Sequence, residues 1–448
     1  MTDTALIVSA TPPVPVDSGK RLFLNGLLNY FVERLGESCV HYAVICGPDE
    51  SLPSFPGVVH RVARSGAAAQ LKTLARCVTD RHYTAQEAML GSAAIAEQIK
   101  AVTQQVRPTV EVYDTLRLGQ HAPARPRARR RVLYLDDLFS ERYDRMLRFA
   151  AENDDVTFDP LGEFAANVPA PLRGLVRHDG VYRRILRMER DRLRYREAEV
   201  VHAFDVSVLV NENEIEVLRS RSGSPSIELI HDLLPALPPP VREPAHPPEL
   251  VFLGRLNLPH NDEAVCTFVR DVMPEVERLL PGVRLRIAGK GATDRLRRLV
   301  NRHPDSIVLE GFVPDLQALF ARATVSVVPL RMGSGIKIKM LDALARGLPV
   351  LSTSIGVDGI PVDRNGSDGC LVENDFSKWP ELIRDLVDSG LGRELSDAGR
   401  AFFERTYGRR VVMGQYDRIF GLGDRSDQNP RSAGTTPPYM DAGVGADS

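Results

Sequence analysis

The second half of the chain alternates short apolar runs with helical segments so regularly that few folds can hold it. Glu249 to Leu253, Val283 to Ala288, Ile307 to Leu309, Val325 to Pro329 and Pro349 to Ser352 are strand-length and mostly apolar. Between them, Asp262 to Leu280, Asp294 to Asn301, Leu316 to Arg322 and Ile336 to Arg346 read as helices, the last ended by Gly347. Strands without polar alternation are buried on both faces. Strand–helix alternation makes them parallel neighbours in one covered sheet.

The first half opens the same way. Ala5 to Ser9 is a continuous apolar run, followed by a loop with Pro12, Pro13 and Pro15 and then Asp17-Ser18-Gly19-Lys20. Leu22 to Leu35 has helical spacing and stops at Gly36, and Val40 to Ile45 is a second strand. Thr109 to Tyr113, Arg131 to Leu135, the run through Leu209-Val210, and Ser226 to Ile230 are further strands. Helices are expected over about 171 to 200, which is Arg-rich, and from Glu212 to Arg219.

Between Asp232 and Pro248 proline becomes so dense that neither helix nor central strand can propagate. The expected layout is therefore an N-terminal domain over 1–231, a linker over 232–248 and a C-terminal domain over 249–405. A helix over 406–423 is expected to return to the first domain, and the Gly-, Ser- and Pro-rich tail 424–448 to be disordered. The predicted fold class is α/β, with two Rossmann-like, doubly wound parallel-sheet domains facing a cleft. Ligands in such sheets sit outside the carboxyl ends of the strands.

Bulk charge removes one class of function. With 57 basic and 59 acidic side chains, the chain lacks the surplus of cations that a general nucleic-acid binder needs. Cys39, Cys46, Cys77, Cys266 and Cys370 are scattered without metal-ligand spacing and read as thiols of a reducing compartment. With neither a secretory leader nor an apolar run of spanning length in the sequence, the expected location is cytoplasmic, with room for peripheral contact at the inner membrane face.

The sharpest chemical segment is Val327 to Thr353. A strand ends at Pro329, Gly333-Ser334-Gly335 makes a turn, and a helix bearing Lys337, Lys339 and Asp342 begins at once. Glycines let backbone amides approach an anion, and a helix N-terminus adds positive potential. Lys337 and Lys339 would strengthen the grip on a diphosphate. Asp342 shares a helix face with Lys339 and suits ribose hydroxyls. An ordinary surface turn with solvated lysines would have the same sequence. The spacing is not that of a P-loop, and no G-x-G-x-x-G follows the first strand, which argues against a dinucleotide-dependent dehydrogenase.

This segment resembles the donor-binding motif of retaining GT-B glycosyltransferases of family four, roughly G-S-G-x-[RK]-x-K-x-L-[ED]-A-x-A-x-G-x-P-V. Gly333, Ser334, Gly335, Lys337, Lys339, Leu341, Asp342, Ala343, Ala345, Gly347, Pro349 and Val350 fit it. Phe252-Leu253-Gly254-Arg255, Pro259-His260-Asn261, Leu285 to Gly289 and Gly311 to Leu316 resemble further motifs of that domain. The run S-A-T-P-P-V-P-V-D-S-G-K-R resembles the family's N-terminal glycine loop. The resemblance implies a GT-B enzyme that acts with retention on a nucleotide-sugar, a UDP- or GDP-sugar. Asp342 would hold the ribose, and Arg255 and Lys339, with Lys337 nearby, the leaving pyrophosphate. Phe312 and Val313 would frame the base, and Gly333, Ser334 and Gly335 would lie against sugar and phosphates. Gly19, Lys20 and Arg21 would close the N-domain side. Two departures stand out. Ser334 replaces the first acid of the usual E-x7-E pair, and Leu258-Pro259-His260 stands where a second base usually follows Arg255.

On the acceptor side, Tyr134-Leu135-Asp136-Asp137 follows a strand. Asp137 is expected either to orient and deprotonate an acceptor hydroxyl or to cap the next helix. Tyr113-Asp114 is an alternative, and His231-Asp232 is read as a hinge in preference to a catalytic pair. There is no D-x-D metal motif, so activity without divalent metal or other cofactor is expected. The acceptor is left open among glycan, lipid-linked and small-molecule classes. A nucleotide-sugar 2-epimerase and a catalytically silent binding subunit are the rival readings.

Overall fold

The computed structural model describes residues 2–123, 130–152, 179–235, 242–333 and 335–423. The described chain forms two parallel sheets. The first has strands β1 (Ala5–Ser9), β2 (Val40–Cys46), β3 (Val58–Ala63), β4 (Val110–Asp114), β5 (Arg130–Asp136), β6 (Val206–Leu209) and β7 (Ile227–Leu229), in the order β3-β2-β1-β4-β5-β6-β7. The second has β8 (Glu249–Leu253), β9 (Arg284–Ala288), β10 (Ile307–Gly311), β11 (Val325–Val328), β12 (Val350–Ser352) and β13 (Cys370–Val372), in the order β10-β9-β8-β11-β12-β13. In each sheet the winding reverses beside the first strand, between β1 and β4 and between β8 and β11. Helices diverge there and leave a crevice at the carboxyl ends.

The helices that bear on the site are α1 (Gly19–Leu35), α2 (Phe139–Glu152), α3 (Asp179–Val200), α4 (Glu212–Ser222), α5 (Pro259–Thr267), α6 (Ile338–Ala345), α7 (Leu391–Tyr407) and α8 (Arg409–Phe420). The first sheet is covered on both faces by apolar layers, and the second domain has its own continuous core. Helix α8 packs on the N-terminal domain. Asp417 receives Arg34 at 2.6 Å, Tyr416 meets Tyr30 ring to ring at 5.1 Å, and Ile419 O accepts from Arg130 at 2.9 Å. The 424–448 tail, residues 171–178 of the expected Arg-rich helix and the centre of the linker, 236–241, lie outside the described residues.

Three departures from the sequence expectation have physical reasons. The helix expected from Asp262 begins at Pro259, because proline's missing N–H costs nothing in a first turn. It then passes through a wide turn at Phe268–Val272 before continuing to Leu279. Strand β3 was not foreseen. It is an edge strand whose Val58 and Val59 are exposed, so it lacks the inward apolar pattern. Strand β13 is only three residues long and carries little periodicity.

Candidate active site

A cavity of about 390 Å³ lies where the carboxyl ends of the two sheets face each other. Its N-domain wall is built from residues that follow β1, β4, β5, β6 and β7, and its C-domain wall includes Arg255, Leu258, Gly335, Ile336 and Ile338. The walls come close: a Cβ on Gly19 would lie 3.8 Å from Ile338 Cγ1.

The N-domain wall is dominated by carboxylates. Ser9 Oγ donates to Asp114 Oδ2 at 2.6 Å, and Lys20 Nζ pairs with Asp114 Oδ1. The same ammonium reaches Asp136 Oδ2 at 3.5 Å and lies 4.5 Å from the centre of the Tyr134 ring. Tyr134 OH donates to Asp136 Oδ1 at 2.8 Å. Burial pushes the Asp136 carboxyl up, but Lys20 and this phenol outweigh it and hold it below its ordinary value. Thr115 and Asp136 have φ of 66° and 70°, a left-handed conformation that is a genuine outlier for a β-branched residue. Strain of this kind, of order 1–3 kcal/mol per residue, tends to collect at ligand sites. Here it turns the chain at the ends of β4 and β5 into the cavity.

Asp137 lines the cavity with its carboxylate already engaged. Arg142 Nε and Nη2 both donate to its Oδ2, at 2.9 and 2.6 Å. The first amides of the adjoining helix find other acceptors: Leu138 N donates to Glu214 at 2.8 Å and Ser140 N to Glu197 at 3.0 Å. The structure thus gives Asp137 a third role, as the counter-ion that holds Arg142 at the cavity wall. Asp232, read from sequence as part of a hinge, also lines the cavity.

On the C-domain wall, Arg255 is exposed and, among the described residues, its guanidinium has no hydrogen-bond or ion-pair partner. Its loop is shaped by Gly289, where a Cβ would fall 1.7 Å from Gly254 O. Only glycine permits that approach. Gly333 and Gly335 have φ of 135° and 69°, and α6 begins three residues after Gly335. Ser334 lies outside the described residues. Lys337 Nζ donates to Gly335 O, and Lys339 Nζ donates to Asn261 Oδ1 at 2.7 Å and lies 4.6 Å from the Phe252 ring centre. Neither lysine lines the cavity directly; Lys337 folds back on the glycine turn and Lys339 reaches Asn261. Burial lowers the Lys337 ammonium to about 8. Burial and then Lys337 lower Lys339 to about 7. His260 sits near the same cations and is pushed down to about 3, by burial first and the lysines next. It is neutral at ordinary pH.

The remaining expected donor residues are dispersed. Asp342 is paired with Arg346 at 2.7 Å, although burial raises its carboxyl. Arg21 is tied to Asp17 at 3.0 Å and lies outside the cavity lining. Phe312 is 63% exposed under Lys290, whose Nζ is 4.2 Å from the ring centre, while Val313 packs on the domain core. Both follow β10 and lie away from the cavity. Sequence reading missed Arg142 and Arg117, which both stand 5.2 Å from the Phe139 ring centre and line the cavity. It also missed a contact between the domains: Arg145 reaches Asp358 at 2.7 Å, with Asn211 at 3.4 Å and Asn213 at 3.1 Å on the same carboxylate. No local pattern marks any of these.

Two facing, parallel, doubly wound domains with the cavity between their carboxyl ends define a GT-B fold. Solved structures share it. Sucrose-phosphate synthase from Thermosynechococcus elongatus matches with a TM-score of 0.61 and 14% identity, over 93% of this chain and 98% of that one. Anabaena HepE in complex with UDP and glucose matches with a TM-score of 0.57 and 11% identity, over 93% and 99%. Residues 247–389 match the family model described as glycosyl transferases group 1. An uncharacterized 44.6 kDa protein in the cps region of Klebsiella pneumoniae is 25% identical over 38% of this chain and 45% of its own length. The putative colanic acid biosynthesis glycosyltransferase WcaL of Escherichia coli K12 is 30% identical over 37% of this chain and 38% of its own. The chain thus spans less than half the length of the curated relatives it matches. Among the described residues no helix is long and apolar enough to cross a membrane.

Proposed function

We propose that this chain moves a sugar from a nucleotide-sugar donor to an acceptor hydroxyl, with retention of configuration and without a divalent metal. One observation carries the reading: Gly335, the start of α6 and Arg255, which has no partner among the described residues, converge on a cavity whose opposite wall is rich in carboxylates. Backbone amides and cations suit the donor diphosphate. Lys337, which is buried, and Lys339, which is half-buried, follow in the same segment as ammonium groups that an incoming anion would stabilise. In the reaction the acceptor oxygen bonds to the anomeric carbon and the bond from that carbon to the diphosphate breaks. The nucleoside diphosphate leaves with the bonding electrons. Preorganised cations bear the growing charge, and losing one such donor often costs about 10²–10³ in rate. Asp342 is assigned to the ribose. Phe312 and Val313, at the open end of β10, are assigned to the base of a UDP- or GDP-sugar. The match to WcaL, named for colanic acid biosynthesis, favours a polysaccharide precursor as acceptor.

The test is a thermal-shift screen of UDP- and GDP-sugars on the wild-type protein and on the Lys337→Ala/Lys339→Ala variant, since a ligand of the folded state raises its apparent stability. Nucleotide release should follow binding, survive a chelator and fall away in the variant. Unchanged nucleotide affinity and turnover in the variant would refute the site. Conversion of the donor to its 2-epimer without nucleotide release would replace transfer by epimerisation.

A further inference from the structure

The cavity holds one carboxylate that differs from its neighbours. Asp114 and Asp136 share Lys20, and Asp137 holds Arg142. Asp232 is only 6% exposed and lines the same cavity, yet it has no ion pair and, its own amide apart, no hydrogen-bond partner among the described residues. A buried carboxylate in this state is costly unless something completes it. The opposite wall has its counterpart in Arg255, an exposed cation with no partner among the described residues. Asp232 and Arg255 thus stand on opposite walls of one cavity, each without a protein partner for its charge among the described residues.

We infer that Asp232 is the acceptor-side catalytic carboxylate: it receives the hydrogen bond of the attacking hydroxyl and takes its proton as the new glycosidic bond forms. The inference rests on the glycosyltransferase reading and deepens it. The balance is simple. The O–H bond of the acceptor breaks with its electrons passing to the new C–O bond, the C–O bond to the diphosphate breaks toward phosphate, and the proton rests on the Asp232 carboxylate.

The surroundings suit a base that works near neutral pH. The groups that face Asp232 are Tyr134 and Asp136 on β5, Tyr407 at the end of α7 and Tyr416 on α8, with His231 beside it in the chain. None is a cation, and His231 is kept neutral because burial lowers its imidazole to about 4. Burial and then the Asp136 charge lift the Asp232 carboxyl to about 7. A carboxylate clamped by Arg or Lys would be a far weaker base.

The test uses the full chain and water as a surrogate acceptor, with UDP-glucose, UDP-N-acetylglucosamine and GDP-mannose as donors. Wild type should release nucleotide with a rate that rises through about pH 7 as the base ionises. Asp232→Asn and Asp232→Ala should keep nucleotide affinity within about threefold, lose about 10²-fold in turnover and lose that rise with pH. Added formate should restore part of the turnover of Asp232→Ala, an effect that a merely structural role would not produce. Wild-type turnover and pH profile in Asp232→Asn, or lost turnover that formate does not restore in a variant that still binds nucleotide, would overturn the inference and leave the transferase reading standing. Wild-type protein that binds none of the donors would overturn both. Should the alanine variant fold poorly, Asp232→Asn and the pH profile of Asp232→Glu, which keeps the base, carry the same decision.

Discussion

Replacing Lys339 by methionine should make the protein more stable and less able to bind a nucleotide. The side chain is half-buried against Phe252, and its burial, with Lys337 nearby, lowers the ammonium from the ordinary lysine value of 10.5 to about 7. A tenfold change in proton affinity is worth about 1.4 kcal/mol. The full difference would amount to roughly 5 kcal/mol, and partial solvation reduces the expected cost to about 2–3 kcal/mol. Methionine keeps the length and apolar contact but gives up the hydrogen bond to Asn261, worth about 1 kcal/mol. The net gain at about pH 6 is therefore on the order of 1–2 kcal/mol. Its pH dependence has a definite sign. Below about 7 the folded and unfolded chains both carry the proton, and the whole cost is present. Between about 7 and 10.5 the unfolded chain holds the proton and the folded chain releases it, so wild-type stability rises with pH relative to the variant. Urea denaturation of both proteins at several pH values reads the difference directly. A variant less stable than wild type at about pH 6, or a difference that does not shrink as pH rises, would refute the reasoning. The same linkage requires that UDP-sugar affinity of wild type fall above about pH 7–8, because the diphosphate is held by the protonated form.

Two further perturbations probe the frame and the closure of the cleft. Glu111 and Arg131 form a 2.8 Å ion pair with at most 1% of either side chain exposed, so Glu111→Ala should cost about 3–5 kcal/mol by stranding the guanidinium, measured by urea denaturation. Asp358→Ala removes the carboxylate that Arg145, Asn211 and Asn213 share across the domains. It should enlarge the radius of gyration by small-angle scattering and weaken nucleotide-sugar binding by about 3–10-fold, the effect of roughly 1 kcal/mol.

Much of this molecule is written locally. The buried run of β1, the proline-dense linker and the strand–turn–helix from Val325 to Ala345 are set by side-chain period and by proline and glycine chemistry. Those signals act over a few residues and need no knowledge of distant contacts. Hence the two-domain α/β architecture and the glycine turn before Lys337 and Lys339 could be placed from sequence. The other wall of the cavity could not. Whether a carboxylate is free or engaged depends on partners far along the chain: Ser9 meets Asp114 from 105 residues away, and Arg145 meets Asp358 from 213. In sequence Asp137 is the acceptor-side candidate and Asp232 reads as part of a hinge. Only folding sets Arg142 on the first and leaves the second facing the cavity without a cation, because charge pairing is decided by distance in space and burial, neither of which a linear pattern carries.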